Sequence, residues 1–293
     1  MNKILLCAQR LIPLYGYEKA LYFFLCALRH RKLFAQWLDY LDTQLPACTS
    51  ELTRIRLAMR PAYRYIRPAL TPFQKMAIIA YYYTALKTRL SPDGVTKLLT
   101  GRNLVAELTG RSGRKYTVTL IAETGKDGAL KLLLMDTHAN IALAMITGII
   151  GVDKDKRPAF WIGSIQGTHP PAGKEEIAYA TKDLNNLRPK QAVFYAACAL
   201  AEWFGIQTML GPSLGNQIAM KVFYRKHKIY NDYNSFWEEF TDVREGGDYR
   251  ISLPLSRRAA SEVSSKRRKD WLLRYERIDA MSAGVKAALD ALR

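Results

Sequence analysis

Between residues 11 and 45 the apolar positions Leu14, Ala20, Leu21, Phe24, Leu25, Leu28, Leu33, Trp37 and Leu41 recur mostly at intervals of three and four, the spacing of one helix face. A second run from Thr71 to Leu86 opens with a hydroxyl at the cap position and Pro72 at the first helical residue, where its missing N–H costs nothing. Tyr81, Tyr82 and Tyr83 within it read as packing residues. Ser91 ahead of Pro92-Asp93-Gly94 marks a turn or a new cap, with a helix reaching Leu99.

The period changes near residue 101. LVAELTG, KYTVTLIAET and ALKLLLMDT are short β-branched or apolar runs that predict strands. Lys126-Asp127-Gly128 predicts a tight hairpin between the second and third, since Asp-Gly tolerates positive φ. NIALAMITGIIG is apolar on consecutive positions and predicts a strand covered on both faces; RPAFWIGSIQG predicts the next, ending near Gly167. Helices follow at 174–185 and from Pro189 to Phe204, stopped by Gly205. QTMLGPS reads as a short strand, 216–224 and 234–240 as short helices, DYRISLPL as a late strand, and the stretch from Ser264 as a terminal helix. An α/β (α+β) protein is expected, with a helical region at 1–100, a mixed core at 101–255 and a basic C-terminal helix within 256–293.

Composition sharpens this. In 293 residues, 49% hydrophobic, there is enough apolar matter for a large core. Lys and Arg number 44 against 26 Asp and Glu, a net charge of +18 that attracts any anion: nucleic acid, phospholipid headgroups, phosphorylated cofactors or acidic carriers. The surplus gathers at Arg54, Arg56, Arg60, Arg64 and Arg67, and again at Arg257, Arg258 and Lys266 to Lys269. Aromatics interleave with arginines in PAYRYIRPAL, but no recognition-helix or RNA-binding sheet motif accompanies them, which disfavours nucleic acid. The four cysteines, at 7, 26, 48 and 198, lack the spacing of a metal site or a disulfide framework. The longest uncharged apolar stretch, Ala139 to Val152, falls short of a bilayer span, and Arg10 breaks a signal-like N-terminus; a cytoplasmic protein is expected.

Candidate chemistry is sparse. His138 and His169 each follow a predicted strand, and His169, stiffened by two prolines, is a candidate base together with Asp136; Glu123 is a further strand-end carboxylate. Cys198, inside VFYAACALAEWF, reads as a buried thiol, and Ser164 and Ser213 lack a nucleophile elbow. Lys182, Arg188 and Lys190 cluster at a predicted helix start, where free backbone N–H groups and the helix dipole favour an anion. Asn216, Tyr233 and Trp237 are candidates for the facing wall, the last two reading equally well as a buried helix face. Lys266 to Lys269 precede a helix carrying Trp271, Leu272, Ile278 and Met281, suited either to rest on an anionic leaflet or to cap the core.

The order of elements resembles the GNAT acyltransferase superfamily, whose cofactor pyrophosphate sits at the N-terminus of the helix after the central strand. That resemblance implies Lys182, Arg188, Lys190 and Asn216 as cofactor-binding residues, and His169 or Asp136 as the base in acyl transfer from acyl-CoA or an acyl carrier protein. The superfamily's glycine-rich phosphate loop is absent between Gly167 and Pro189. The strings IGSIQG, ATKDLNNLRPKQ, YNDYNSFWEE and SSKRRKDWLLRYERID resemble the VirK/YbjX family, DUF535, with ATKDLNNLRPK the most specific. This resemblance implies a Gram-negative cytoplasmic protein tied to virulence, surface-protein localisation and tolerance of cationic antimicrobial peptides. Two readings stay open: an acyltransferase-like enzyme, or a non-catalytic adaptor or chaperone. The latter would bind an anionic envelope precursor, lipid or partner protein at the periphery of the inner membrane.

Overall fold

The computed structural model describes residues 2–122, 125–167, 173–218 and 233–293. Six helices come first: α1 (Asn2–Tyr15), α2 (Tyr17–Arg29), α3 (Arg31–Gln44), α4 (Glu51–Met59), α5 (Pro72–Arg89) and α6 (Pro92–Thr100). The polar caps act as their sequence suggests. Thr71 accepts a hydrogen bond from Gln74 N while the Gln74 side chain accepts from Thr71 N, and Ser91 accepts from Gly94 N. The apolar periodicity maps only in part onto the core: Ala20, Trp37 and Leu41 of the stripe are buried, together with Leu11, Phe23 and Phe34, whereas Leu14, Leu21, Leu25 and Leu28 are exposed. Helix starts earlier than the periodicity forecasts, at Asn2, and Gly16 at φ 84° turns α1 into α2.

Five strands then form an antiparallel meander: β1 (Arg102–Thr109), β2 (Lys115–Ala122), β3 (Leu130–Asp136), β4 (Ile141–Val152) and β5 (Pro158–Gly167). Two helices, α7 (Lys174–Asp183) and α8 (Pro189–Trp203), carry the chain to β6 (Thr208–Pro212), which lies parallel to β5. After α9 (Tyr233–Trp237), the hairpin β7 (Arg244–Glu245) and β8 (Asp248–Ser252) completes an eight-stranded sheet ordered β1-β2-β3-β4-β5-β6-β8-β7. This is the mixed α/β arrangement expected, ending in the basic helix α10 (Ser265–Asp290). Residues 159–165 of β5 are buried without alternation, so the strand needs cover on both faces. Helix α8 packs on β3, β4 and β5, α5 packs on β4, and α10 runs along edge strand β1 and against α8. Gly205, at φ 77°, ends α8 as expected.

One turn differs from its expectation. Strands β2 and β3 pair up to Ala122 opposite Leu130, so Asp127-Gly128 belongs to a longer connection and not to a tight hairpin. The reason is packing. The segment lies across the centre of the sheet, where Ala129 N donates to Gly148 O and a Cβ on Gly163 would sit 1.8 Å from Asp127 O. The helix expected over 216–224 lies outside the described residues beyond 218; residues 214–216 form a 3-10 turn.

Candidate anion-binding site

Strands β5 and β6 pair through two positions, Phe160 with Met209 and Trp161 with Leu210, and then part. Carbonyls facing such a gap need donors. Arg67, from the loop between α4 and α5, supplies them: its Nη1 donates to Ile162 O at 2.7 Å on β5, and its Nη2 to Leu210 O at 2.9 Å on β6. Its Nε donates at 2.7 Å to the Asp248 carboxylate on β8, and Nη1 also reaches Ile66 O. The guanidinium is 2% exposed and stands over the Trp161 ring. Burial pulls the Arg67 pKa down and pushes that of Asp248 up, each charge opposing the shift in the other. Asn216 joins this knot, donating to Asp248 at 2.9 Å.

The other residues nominated from sequence fall elsewhere. Arg188 is engaged by Glu239, which also accepts from Gln191 Nε2 at 2.9 Å, while Gln191 Oε1 accepts from Arg188 N. Lys190 is half-buried against Gly167 at the end of β5, and burial, then Arg188, lowers its pKa. Lys182 is exposed on the last turn of α7. Asp136 closes the β3–β4 turn, accepting from His138 N and Ala139 N and from Arg114 at 2.8 Å. His169 and Glu123 lie outside the described residues. Trp237 is fully buried, donating to Pro212 O, and Tyr233 is buried on the same short helix.

The string ATKDLNNLRPK is a structural joint. Asp183 accepts from Ser112 N and Tyr116 Oη, both at 2.8 Å, which ties α7 to the β1–β2 turn. Asn185 and Asn186, at φ 54° and 61°, form the left-handed link to α8 that asparagine tolerates best. Asn185 also donates to Asp270 and accepts from Arg277, anchoring α10.

A cleft of about 930 Å³ opens between α2, the 59–68 segment and the crossing loop at Lys126. Its walls carry Lys19, Arg60, Arg64, Lys75 and Lys126, with Glu18 the one acid among the described lining residues. Lys75 is its innermost cation. The side chain is 6% exposed, and its ammonium donates to Tyr63 O at 2.6 Å and Pro61 O at 3.3 Å. No carboxylate among the described residues pairs with it, and burial lowers its pKa. Arg60 is likewise shifted down by burial, with its guanidinium 5.8 Å from the Tyr65 ring centre. Tyr22 and Tyr63, with ring centres 5.2 Å apart, form the aromatic rim, and Tyr63 donates to Lys19 O. Such a pocket can neutralise a compact anion and lay tyrosine faces along an attached apolar or planar group. Among the described residues no cluster of His, Cys, Asp or Glu could hold a metal ion. PAYRYIRPAL, with its alternating arginines and tyrosines, was the available sequence signal; Lys75, one of several polar residues in its helix, gave none.

The family model described as "Protein of unknown function (DUF535)" matches residues 15–287. An uncharacterised Escherichia coli protein, YbjX, is 30% identical over 266 residues, covering 88% of this chain and 80% of its own length. An uncharacterised Haemophilus influenzae protein is 27% identical over 124 residues, 42% of each chain. Among solved structures, a cAMP-binding acyltransferase from Mycobacterium smegmatis, in a mutant form, aligns at 10% identity and a TM-score of 0.29. That alignment covers 76% of this chain and 63% of the other, and a superposition so slight carries no argument.

Proposed function

The chain belongs to the DUF535 family, and from that premise we propose that it is a binding protein for an anionic envelope component, held in the cleft around Lys75 and acting as an adaptor or chaperone. The observation that carries this reading is the buried ammonium. A charge removed from water and met, among the described residues, by two carbonyl dipoles is poorly compensated, and four further cations on the same walls raise its cost. A phosphate or carboxylate entering the cleft offsets that penalty. Work at the cytoplasmic face of the inner membrane fits this reading, with surface-protein localisation, virulence and tolerance of cationic antimicrobial peptides as its cellular consequences.

The test is a thermal-shift titration with inorganic pyrophosphate and with a short-chain phosphatidylglycerol. Saturation at 100 times Kd stabilises by about 2.7 kcal/mol, and Lys75→Met should remove the shift. Equal shifts in both proteins would refute the assignment.

A second reading, acyl transfer, draws on the β5-α8-β6 crossover and on Lys190 set half-buried at the end of β5. There an amine or hydroxyl would lose its proton to a base, His169 or Asp136, and attack the thioester carbonyl; the C–S bond would break and the departing thiolate take up a proton. Acyl-CoA or acyl carrier protein should then stabilise the wild type and not Arg188→Ala/Lys190→Ala. The absence of any shift with either thioester would remove this reading.

A further inference from the structure

The outer face of α2 is apolar. Tyr17, Leu21, Leu25 and Leu28 follow one another at spacings of four, four and three, and are 76%, 58%, 57% and 37% exposed. At 100° per residue they span an arc of about 80°, over a length of about 17 Å. Ala20, Phe23 and Ala27 hold the opposite face against the core, so the stripe is surplus to folding. Its surroundings are strongly basic. On α2 and at its C-terminal end stand Lys19, Arg29, Arg31 and Lys32 against a single acid, Glu18, while Lys3 and Arg10 of α1 pair with Asp39, Asp42 and Glu51.

We propose that α2 docks flat on an anionic lipid bilayer, with Tyr17, Leu21, Leu25 and Leu28 entering the headgroup–acyl boundary and the flanking cations meeting lipid phosphates. Charge selects this occupant over a second copy of the chain. Each copy carries +18, and a two-fold pairing of α2 stripes brings Lys19, Arg29 and Arg31 toward their own counterparts. An anionic surface answers both the apolar stripe and its basic border. Contact in the membrane plane also suits a chain with no helix, among the described residues, long and apolar enough to cross. Tyr22, 56% exposed, stands between the stripe and the Lys75 cleft, so docking brings the cleft mouth to the height of the headgroups. The docking does not depend on the cleft's being a ligand site.

Co-sedimentation of the full chain with vesicles of phosphatidylethanolamine and phosphatidylglycerol, and with phosphatidylcholine vesicles, tests the proposal. Binding to the anionic vesicles is expected, weakened about tenfold or more by Leu21→Ser/Leu25→Ser and by phosphatidylcholine. Both substitutions are on the surface; if circular dichroism shows that the pair disturbs the fold, Leu25→Glu alone reads the same face. Neutralising Lys266 to Lys269 should leave binding within about twofold, which separates α2 from the tail. Lys75→Met should still bind vesicles, which separates docking from the cleft. Wild-type protein that stays in the supernatant, unchanged binding by the leucine variant, or a wild-type dimer that this variant dissociates would each overturn the proposal.

Discussion

Arg67→Met replaces a buried cation by an apolar side chain of similar length. The guanidinium and the Asp248 carboxylate are 2% and 5% exposed and meet at 2.7 Å, so solvent screens neither. Without Arg67, Asp248 keeps the Asn216 amide as a partner, while Ile162 O and Leu210 O lose donors at the point where β5 and β6 part. Breaking one side of a buried pair costs about 3–5 kcal/mol. For a chain of this size that lowers Tm by on the order of 10 °C. The pH dependence follows from the direction of the Asp248 shift. Burial already raises its pKa and Arg67 opposes the rise, so removing Arg67 lifts it further. A carboxyl raised in the fold contributes stability below its unfolded pKa and loses it as pH rises through the folded value. The variant should therefore lie nearest the wild type in acid and be most destabilised at neutral pH. Urea titration followed by tryptophan fluorescence serves as the assay, because Trp161 lies under the guanidinium. Arg67→Met/Asp248→Asn should recover part of the loss at pH 7. A loss under about 1 kcal/mol at neutral pH, or a double variant weaker than the single one, would refute the claim that this pair closes the strand junction.

Lys75 gives the opposite sign at the alkaline end. Its pKa is lowered by burial, so between that value and 10.5 the unfolded chain binds more protons and stability should rise with pH; Lys75→Met should lack this slope in urea melts. Anion affinity should fall over the same range in calorimetry, as the ammonium loses its proton. Gly163→Ala forces a Cβ to within 1.8 Å of Asp127 O, backbone against strand, and should yield protein that unfolds at markedly lower urea or fails to accumulate. A Gly163→Ala protein as stable as the wild type would show that the 125–129 segment does not press on β5.

Periodicity was enough for the elements whose signal is local. Thr71-Pro72 begins α5, the shift to β-branched runs marks β1 to β3, and the unbroken apolar run of β4 announces a strand covered on both sides. The Asp127-Gly128 turn misled because its glycine answers a tertiary demand. A Cβ on Gly128 would fall 2.4 Å from Gly148 O, so the residue is small for the sake of crossing the sheet and not for a two-residue hairpin. The string ATKDLNNLRPK likewise answers tertiary demands. Its Asp183 and Asn185 join α7, the β1–β2 turn and α10, contacts between distant segments that no local pattern announces.

The site was half legible for a related reason. Arg60, Arg64 and Arg67 look like one basic patch, yet they divide between two tasks: the first two line the cleft, and the third turns inward to bridge β5 and β6. What divides them is a backbone reversal at Ile66, at φ 59°, with Arg67 N donating to Tyr65 O at 2.6 Å. A β-branched residue there is strained, at a cost of about 1–3 kcal/mol, and no propensity scale forecasts it. The reversal is held from both sides, by Ile66 N donating to Lys126 O and by the four hydrogen bonds of the Arg67 guanidinium. Lys126 also lines the cleft, so this wall of the cleft is fixed by the same contacts that close the strand junction. The backbone that carries Arg60, Arg64 and Lys126 is thus set by the fold, and a preformed wall leaves little to order when the proposed anion binds.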